Sequence, residues 1–156
     1  MRAWMPALRP VLIQGDDGAP IHFGERWSDL PETPAEAYSV VTHPERYAQL
    51  HEVADALVAH LLATYDCEAV EEPPRDLGAQ ELRAVRIASV PGTAPVRIAW
   101  TDFPGVVAEV GLDVPAAAPI CGCDACDEPL ERAAEGLAEA VLSRVRGRGG
   151  AAWPER

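Results

Sequence analysis

Three of the four cysteines of this chain lie within six consecutive residues. Cys121, Cys123 and Cys126 belong to the segment CGCDACDE, residues 121–128, which directly precedes a helical pattern. The Cys123–Cys126 pair has a short spacing common among zinc-chelating loops, and Cys121 offers a third sulfur. A structural zinc ion takes four sulfur or nitrogen ligands in a tetrahedron, so the segment predicts a zinc site that lacks one ligand.

Two residues elsewhere in the sequence are candidates for the fourth ligand. Cys67 would complete a site of four cysteines. His51 lies near the edge of the apolar stripe of a predicted helix, and Asp55, one turn further on, is spaced to accept a hydrogen bond from its imidazole. With zinc as the expected cofactor, the candidate metal ligands are Cys121, Cys123, Cys126, His51 and Cys67.

The same thiols allow two other interpretations. A Cys-x-x-Cys pair at the start of a helix lowers a thiol pKa, so Cys123 and Cys126 could carry out thiol–disulfide exchange. Asp124, Asp127 and Glu128 argue against this chemistry, because nearby negative charge disfavours thiolates. Alternatively, the cysteines pack as small apolar side chains, with Asp124 forming a turn and Asp127 capping the helix. The sequence leaves these alternatives open.

Composition excludes several classes of function. The net charge of −12 argues against nucleic acid as a partner, since phosphate binding needs a basic patch, and against an anionic membrane surface. All thirteen basic residues are arginine, which excludes a lysine Schiff base and a phosphate-binding P-loop lysine. The chain has no apolar run of membrane-span or signal-peptide length, so we expect a cytoplasmic protein with reduced thiols and, if any partner, a protein.

The elements that must position these residues include two amphipathic helices. The first is predicted from Thr42 to about Tyr65, because residues 42–45 match a capping box and apolar residues then recur every three or four positions. The second is predicted over residues 128–145, with Asp127 as its cap and Pro129 in its first turn.

Three strands are predicted between the two helices, over residues 82–88, 95–101 and 106–110. Pro104 and Gly105 are placed for a tight turn that would join the last two strands into an antiparallel hairpin. Residues 71–78 read as a polar loop. The pattern predicts an α+β fold in which a small antiparallel sheet packs with two amphipathic helices, in a single layer of each.

The domain organisation follows from where periodicity is lost. Residues 1–34 contain five prolines and little periodicity, which predicts an irregular N-terminal arm that is loosely attached or forms a hairpin near residues 15–18. Residues 35–146 form the single α+β domain. Residues 147–156 are glycine-rich and are predicted to be a disordered tail.

Several segments resemble a family of uncharacterised bacterial proteins, mostly actinobacterial, known only as a domain of unknown function. The most specific motifs are TDFPG at residues 101–105 and CGCDACDE at residues 121–128; the other resembling residues are Thr42, Pro44-Glu45-Arg46, Leu50-His51, Ala54–Leu57 and Tyr65-Asp66. The resemblance spans roughly residues 36–145 and leaves out Cys67 and the N-terminal arm. It implies a single intracellular domain and supplies no activity.

The sequence therefore favours a non-enzymatic binding or interaction module whose cysteine cluster holds structural zinc. The alternative is a thiol–disulfide oxidoreductase that uses Cys123 and Cys126.

Overall fold

The chain folds into an antiparallel sheet with two helices, as a computed structural model that describes residues 4–156 shows. In chain order the elements are α1 (Gln49–Thr64), β1 (Glu68–Glu72), β2 (Asp76–Leu77), β3 (Ala79–Ala88), β4 (Val96–Thr101), β5 (Val106–Val110), β6 (Ala116–Ala118) and α2 (Leu130–Val145). Five strands are hydrogen-bonded in the order β1-β3-β4-β5-β6, and β2 pairs with the start of β3. This architecture confirms the predicted α+β class.

Both helices contribute to one apolar core with the inner face of the sheet. Val96, Ile98 and Trp100 of β4 are buried in that core, as the alternation of the strand predicts. The apolar face predicted for α2 is also confirmed, because it is buried along its whole length: Leu130, Ala133, Ala134, Leu137, Ala138, Val141, Leu142 and Val145.

The segment predicted as a polar loop, residues 71–78, contains the end of β1 and all of β2, at the edge of the sheet. β1 and β2 pair with β3 in one continuous register, from Glu68 opposite Ala88 to Asp76 opposite Gln80. Pro73 and Pro74 interrupt this strand because proline has no N–H to donate to the ladder. Side-chain alternation does not reveal β1, because three of its five residues are glutamates and four of the five are exposed.

A β-bulge explains the irregular pattern of β3. Glu81 pairs with Thr101 whereas Arg83 pairs with the adjacent Trp100, so Leu82 is the extra residue. The bulge places Glu81 on the outer face of the sheet, where its carboxylate contacts the buried Arg97 guanidinium at 2.7 and 2.8 Å. Arg83 stays on the inner side and its guanidinium lies 4.5 Å from the ring centre of Trp100.

The predicted helix caps were wrong. A 3₁₀ turn at Pro44–Tyr47 precedes α1, and no side chain caps either helix. The Thr42 hydroxyl instead donates to Asp124 at 3.2 Å, and the Asp127 carboxylate accepts hydrogen bonds from the N-terminal arm. Long-range contacts therefore replaced the local capping that the spacing suggested.

The N-terminal arm is irregular but packs on the domain. Trp4, Met5, Leu8 and Val11 lie against the core. The expected hairpin is reduced to one bridge between Gln14 and Pro20. Residues 4–11 are therefore attached to the domain by apolar contacts, and the described part of the arm, residues 4–34, contains no helix or strand element.

The C-terminal residues 147–156 differ from the disordered tail that their glycine content predicted. Trp153 is 4 % exposed, its indole N–H donates to the carbonyl of Ala94 at 3.0 Å, and its ring packs edge-on against Tyr65. Glu155 forms a bridge with Tyr65. Burial of one large aromatic side chain offsets the conformational entropy of the glycines that precede it.

Candidate metal centre

The three thiols of the cysteine segment converge. The sulfur atoms of Cys121, Cys123 and Cys126 all lie within 4.8 Å of one another, and those of Cys121 and Cys123 are 3.3 Å apart. A tetrahedral zinc ion with Zn–S bonds of about 2.3 Å holds its sulfurs about 3.8 Å apart. The cluster is therefore close to the spacing of three corners of a zinc tetrahedron.

The environment of Cys123 favours its thiolate. Hydrogen bonds lower the pKa of the Cys123 thiol to about 7, first from the backbone N–H of Cys126 and then from the Cys121 thiol. Cys126 has the opposite shift, because its thiol donates to Cys123, and its pKa rises to about 12. Cys123 is buried, Cys121 half-buried and Cys126 exposed. The lowered pKa therefore belongs to the buried thiol of the cluster.

Asp127 connects the cysteine segment to the N-terminal arm. One carboxylate oxygen accepts the backbone N–H groups of Gly24 and Arg26 at 2.8 and 2.9 Å. The other oxygen lies 3.3 Å from the Arg46 guanidinium and 3.0 Å from Nε of Arg26. Asp127 is 5 % exposed and has a positive φ of 47°, a backbone conformation that aspartate tolerates better than most residues. This carboxylate fixes the end of the segment that leads into α2.

The two arginines enclose an aromatic ring of the arm. The guanidinium carbons of Arg26 and Arg46 lie 4.7 and 4.3 Å from the ring centre of Phe23, within the range of cation–π attraction. Arg46 also donates to the hydroxyl of Tyr47, which in turn donates to the carbonyl of Glu128. We call Phe23, Arg26, Arg46, Asp124 and Asp127 the arm clamp.

Asp124 fixes the middle of the segment. Its carboxylate accepts the backbone N–H and the hydroxyl of Thr42 at 3.1 and 3.2 Å, and its carbonyl accepts the indole N–H of Trp27 at 2.9 Å. Its own N–H donates to the carbonyl of Val40 at 2.7 Å. The residues just before the 3₁₀ turn at Pro44–Tyr47 therefore brace the thiols from a second side.

The TDFPG hairpin braces the segment from a third side. The ring of Phe103 packs directly on the backbone of Gly122, where an added Cβ would lie 2.5 Å from Cζ. At Gly105 an added Cβ would lie 2.7 Å from the carbonyl oxygen of Ala118. Gly122 permits the close approach of Phe103 to the cysteine segment, and Gly105 permits that of the hairpin to β6, so the two motifs that carry the family resemblance touch in the fold.

His51 is not brought to the thiols. Its Nε2 lies 3.1 and 3.0 Å from the carbonyl oxygens of Thr101 and Gly105, so that nitrogen carries the hydrogen and donates to both. Asp55, the expected partner of the imidazole, lies 3.5 Å from the guanidinium of Arg83 instead. His51 therefore fixes the start of the hairpin and has no contact with the cluster.

Cys67 is also separate from the cluster. It is 4 % exposed, and its thiol donates to the carbonyl of Leu61 at 3.4 Å. Burial raises its pKa. Within residues 4–156, the only group of three or more cysteine, histidine or carboxylate side chains close enough to share a metal ion is Cys121, Cys123 and Cys126.

The structure corrects the argument that acidic residues oppose thiolates here. Asp124 and Asp127 are turned toward Arg26 of the arm clamp, and Glu128 accepts the backbone N–H of Ile120 at 2.7 Å. Each carboxylate is occupied by donors other than the thiols. The negative charge that the sequence places beside the cysteines is therefore largely directed away from them.

The sequence pattern does not identify Phe23 and Arg26 as members of the arm clamp. Arg26 and Phe23 lie about a hundred positions before the aspartates, within an arm that was expected to be irregular. The only signal was two aspartates in a segment of apolar and small residues, which would require cations if buried. Their partners could not be identified without the tertiary fold.

Fold and cluster together define an α+β protein with a candidate three-cysteine metal centre braced by its own N-terminal arm. The chain belongs to DUF6226, a family of unknown function whose sequence model matches residues 12–155. The match includes the arm residues of the clamp, which the motif resemblance did not. Searches among curated proteins and among solved structures found no match. Neither helix in the described part of the chain is long and apolar enough to cross a membrane.

Proposed function

We propose that this protein is a non-enzymatic binding module in which Cys121, Cys123 and Cys126 hold a zinc ion. The observation that carries the proposal is the convergence of three sulfurs within 4.8 Å on a segment braced from three sides. Thiolate ligands suit zinc, copper(I) and iron–sulfur clusters, and the sulfur spacing, which is close to three corners of a zinc tetrahedron, favours zinc among them. The ion would tie the start of α2 to the arm and to the TDFPG hairpin.

The hydrogen bonds to Cys123 support a metal-bound thiolate. Metal binding requires deprotonated cysteines, so a thiol whose pKa is already lowered to about 7 releases its proton to the metal at little cost. The backbone N–H of Cys126, the largest cause of that shift, would remain as a donor to the bound sulfur. The aspartates of the arm clamp would hold the segment in the binding conformation, as outer-shell partners of metal sites do.

The partners of the nearby carboxylates support binding over catalysis. A zinc hydrolase needs a general base beside the metal-bound water. Asp124, Asp127 and Glu128 are the acidic residues of the segment, and each already accepts hydrogen bonds from the arm, from Thr42 or from Ile120. In residues 4–156, no histidine or carboxylate joins the thiols in a shared metal group.

The arrangement favours metal binding over thiol–disulfide exchange by Cys123 and Cys126. An exchange enzyme attacks with an exposed thiolate of lowered pKa. Here the lowered pKa belongs to buried Cys123, whereas exposed Cys126 has a raised pKa. We also propose a cytoplasmic location, because close thiols stay unpaired only where the compartment is reducing.

Cobalt(II) titration of the metal-free protein tests the site. Tetrahedral thiolate coordination gives intense visible absorption, and we expect saturation at one ion per chain and displacement by zinc. Cys121→Ser, Cys123→Ser and Cys126→Ser should each weaken binding at least ~10-fold. Cys67→Ser, at a thiol outside the cluster, is the matched control and should bind as the wild type does.

Three further results would reject the zinc proposal. The first is no cobalt spectrum in folded protein, and the second is equal binding by the cysteine-cluster variants. The third is rapid formation of a Cys123–Cys126 disulfide that turns over a substrate disulfide, which would favour the oxidoreductase instead. Circular dichroism on each variant separates loss of binding from loss of fold.

A further inference from the structure

We propose that two copies of this chain share a cluster of two zinc ions and six thiolates, with Cys126 of each copy bridging both ions. The inference rests on the proposed zinc site and names the partner of that site. It begins from a coordination count, since three thiolates leave one corner of a tetrahedron open and structural zinc sites are closed.

No residue of the described chain fills the open corner. His51 and Cys67 are both engaged elsewhere, and residues 4–156 provide no other side chain that shares a metal group with the thiols. Two three-thiol sites closed against each other satisfy both ions, because a thiolate can bridge two zinc ions, as in Zn₂Cys₆ modules. Four terminal and two bridging sulfurs then give each ion four ligands.

The burial of the three cysteines assigns their positions in such a cluster. Cys123 is buried and Cys121 is half-buried, so we assign both sulfurs as terminal ligands of the ion held by their own chain. Cys126 is exposed and can therefore reach a second ion held by another copy. One exposed thiol per chain is the number that two bridging positions require.

Exposed apolar side chains lie beside the thiols, where a contact between two copies would bury them. Ile120, next to Cys121, is 81 % exposed, and Tyr38 is 59 % exposed. Tyr38 lies between Ala37, whose carbonyl accepts the N–H of Ala125, and Ser39, whose N–H donates to the Cys123 sulfur. We call the exposed side chains of Tyr38, Val40, Val41 and Ile120 the apolar rim.

Charge makes this association dependent on the metal. Each chain has a net charge of −12, so two copies repel each other at a distance. Physiological salt screens that repulsion beyond about 8 Å, but the apolar rim is small and must be supplemented by metal–thiolate bonds. We therefore expect the copies to separate when zinc is removed.

Native mass spectrometry of the full chain with added zinc chloride tests the inference, alongside light scattering. We expect a dimer that carries two zinc ions, and monomers after chelation. Ile120→Glu should raise the dissociation constant of the zinc-bound dimer at least ~10-fold by placing a charge in the contact. Leu112→Glu is the matched control, since Leu112 is fully exposed in the β5–β6 connection at the opposite end of those strands from Gly105.

The possible outcomes separate this inference from the proposed function. A monomer with one bound zinc ion would overturn the shared cluster and leave the proposed zinc site standing. A dimer with one zinc ion per two chains would overturn the two-metal cluster, and equal effects of Ile120→Glu and Leu112→Glu would overturn the contact at the apolar rim. Absence of bound zinc would overturn both. Cys126→Ser that folds but stays dimeric with zinc would also reject the bridging role.

Discussion

Arg97 and Arg46 are both 4 % exposed, but their ion pairs stabilise different parts of the molecule. Arg97 lies on the outer face of the sheet, where its Nε contacts Glu72 at 2.6 Å and its two terminal nitrogens contact Glu81. Arg46 lies in the arm clamp and contacts Asp127 at 3.3 Å. The first group, Glu72, Glu81 and Arg97, joins neighbouring strands, and we call it the sheet cluster. The second group, the arm clamp, joins the arm to the cysteine segment.

The two clusters differ in how completely their arginines are hydrogen-bonded. All three guanidinium nitrogens of Arg97 donate to carboxylates. In the arm clamp, Nε and Nη2 of Arg26 are buried without a hydrogen-bond partner among the described residues, although Nε lies 3.0 Å from Asp127. A partly satisfied network contributes less to stability. We therefore expect the sheet cluster to contribute more to the stability of the fold. The arm clamp instead holds the cysteine segment in the conformation that would bind the metal.

The largest effect is expected from breaking the sheet cluster. Arg97→Ala would leave the Glu81 carboxylate, 11 % exposed, without its cation and should lower the free energy of unfolding by about 3–5 kcal/mol. Urea denaturation measures this loss. Arg86→Ala removes an exposed arginine from the neighbouring strand and should change stability by less than about 0.5 kcal/mol.

The zinc affinity of Arg97→Ala tests whether the sheet cluster and the arm clamp are independent. Folded Arg97→Ala protein should bind zinc as tightly as the wild type, because the sheet cluster has no contact with the thiols. An equal loss of zinc affinity would mean that the two clusters are not independent.

Asp127→Asn should lower zinc affinity more than it lowers stability, the reverse of what we expect for Arg97→Ala. Asparagine tolerates the positive φ of this position but removes the negative charge from between Arg26 and Arg46. We expect zinc affinity to fall about 10–100-fold, with a smaller loss of unfolding free energy than for Arg97→Ala. Competition titration against a chelating dye measures the affinity. Unchanged zinc affinity would separate the arm clamp from the metal site.

Substitution of two glycines by alanine should change stability in opposite directions. Gly122→Ala would place a Cβ 2.5 Å from the ring of Phe103 and should lower stability by about 1–3 kcal/mol while weakening zinc binding. Gly136→Ala, within α2, meets nothing within 4 Å and should raise stability by about 0.5–1 kcal/mol. Thermal denaturation with and without zinc compares them. A neutral Gly122→Ala would contradict the packing of the hairpin on the cysteine segment.

The smallest effect concerns the pH dependence of metal-free protein. The pKa of Cys123 is lowered from 9.0 to about 7, which stabilises the folded state fully above pH 9 and is lost as the pH falls through 7. Alkylation rates resolved by peptide mapping should rise for Cys123 around pH 7. The rate at Cys67, whose pKa is raised, should rise only above pH 9. Coinciding profiles would contradict the hydrogen bonds assigned to the Cys123 sulfur.

Local periodicity made most of the fold predictable from the sequence. The positions of α2 and of β3, β4 and β5 followed from side-chain spacing, because burial of one face imposes that spacing. Periodicity did not predict the edge strand β1, because its residues lack alternation. It also did not predict the burial of Trp153, which depends on contacts with the distant residues Tyr65 and Ala94.

Only the part of the candidate site formed by residues close in sequence was predictable. Cys121, Cys123 and Cys126 are close in sequence, so their convergence required no knowledge of the fold. The choice of His51 as a fourth ligand rested on helical spacing, which places a residue on a face but does not identify the group that the face meets. The same limit applies to Asp127, whose partners Arg26 and Arg46 lie far away in the chain.

Metal content is the most direct test of the central claim that this cysteine segment is a zinc site. The protein should be purified without a metal-affinity resin, its zinc measured per chain, and its thiols titrated before and after chelation. We predict one zinc ion per chain, with three thiols that become reactive only after chelation. Metal-free protein in which Cys121, Cys123 and Cys126 react at once, without chelation, would contradict the account.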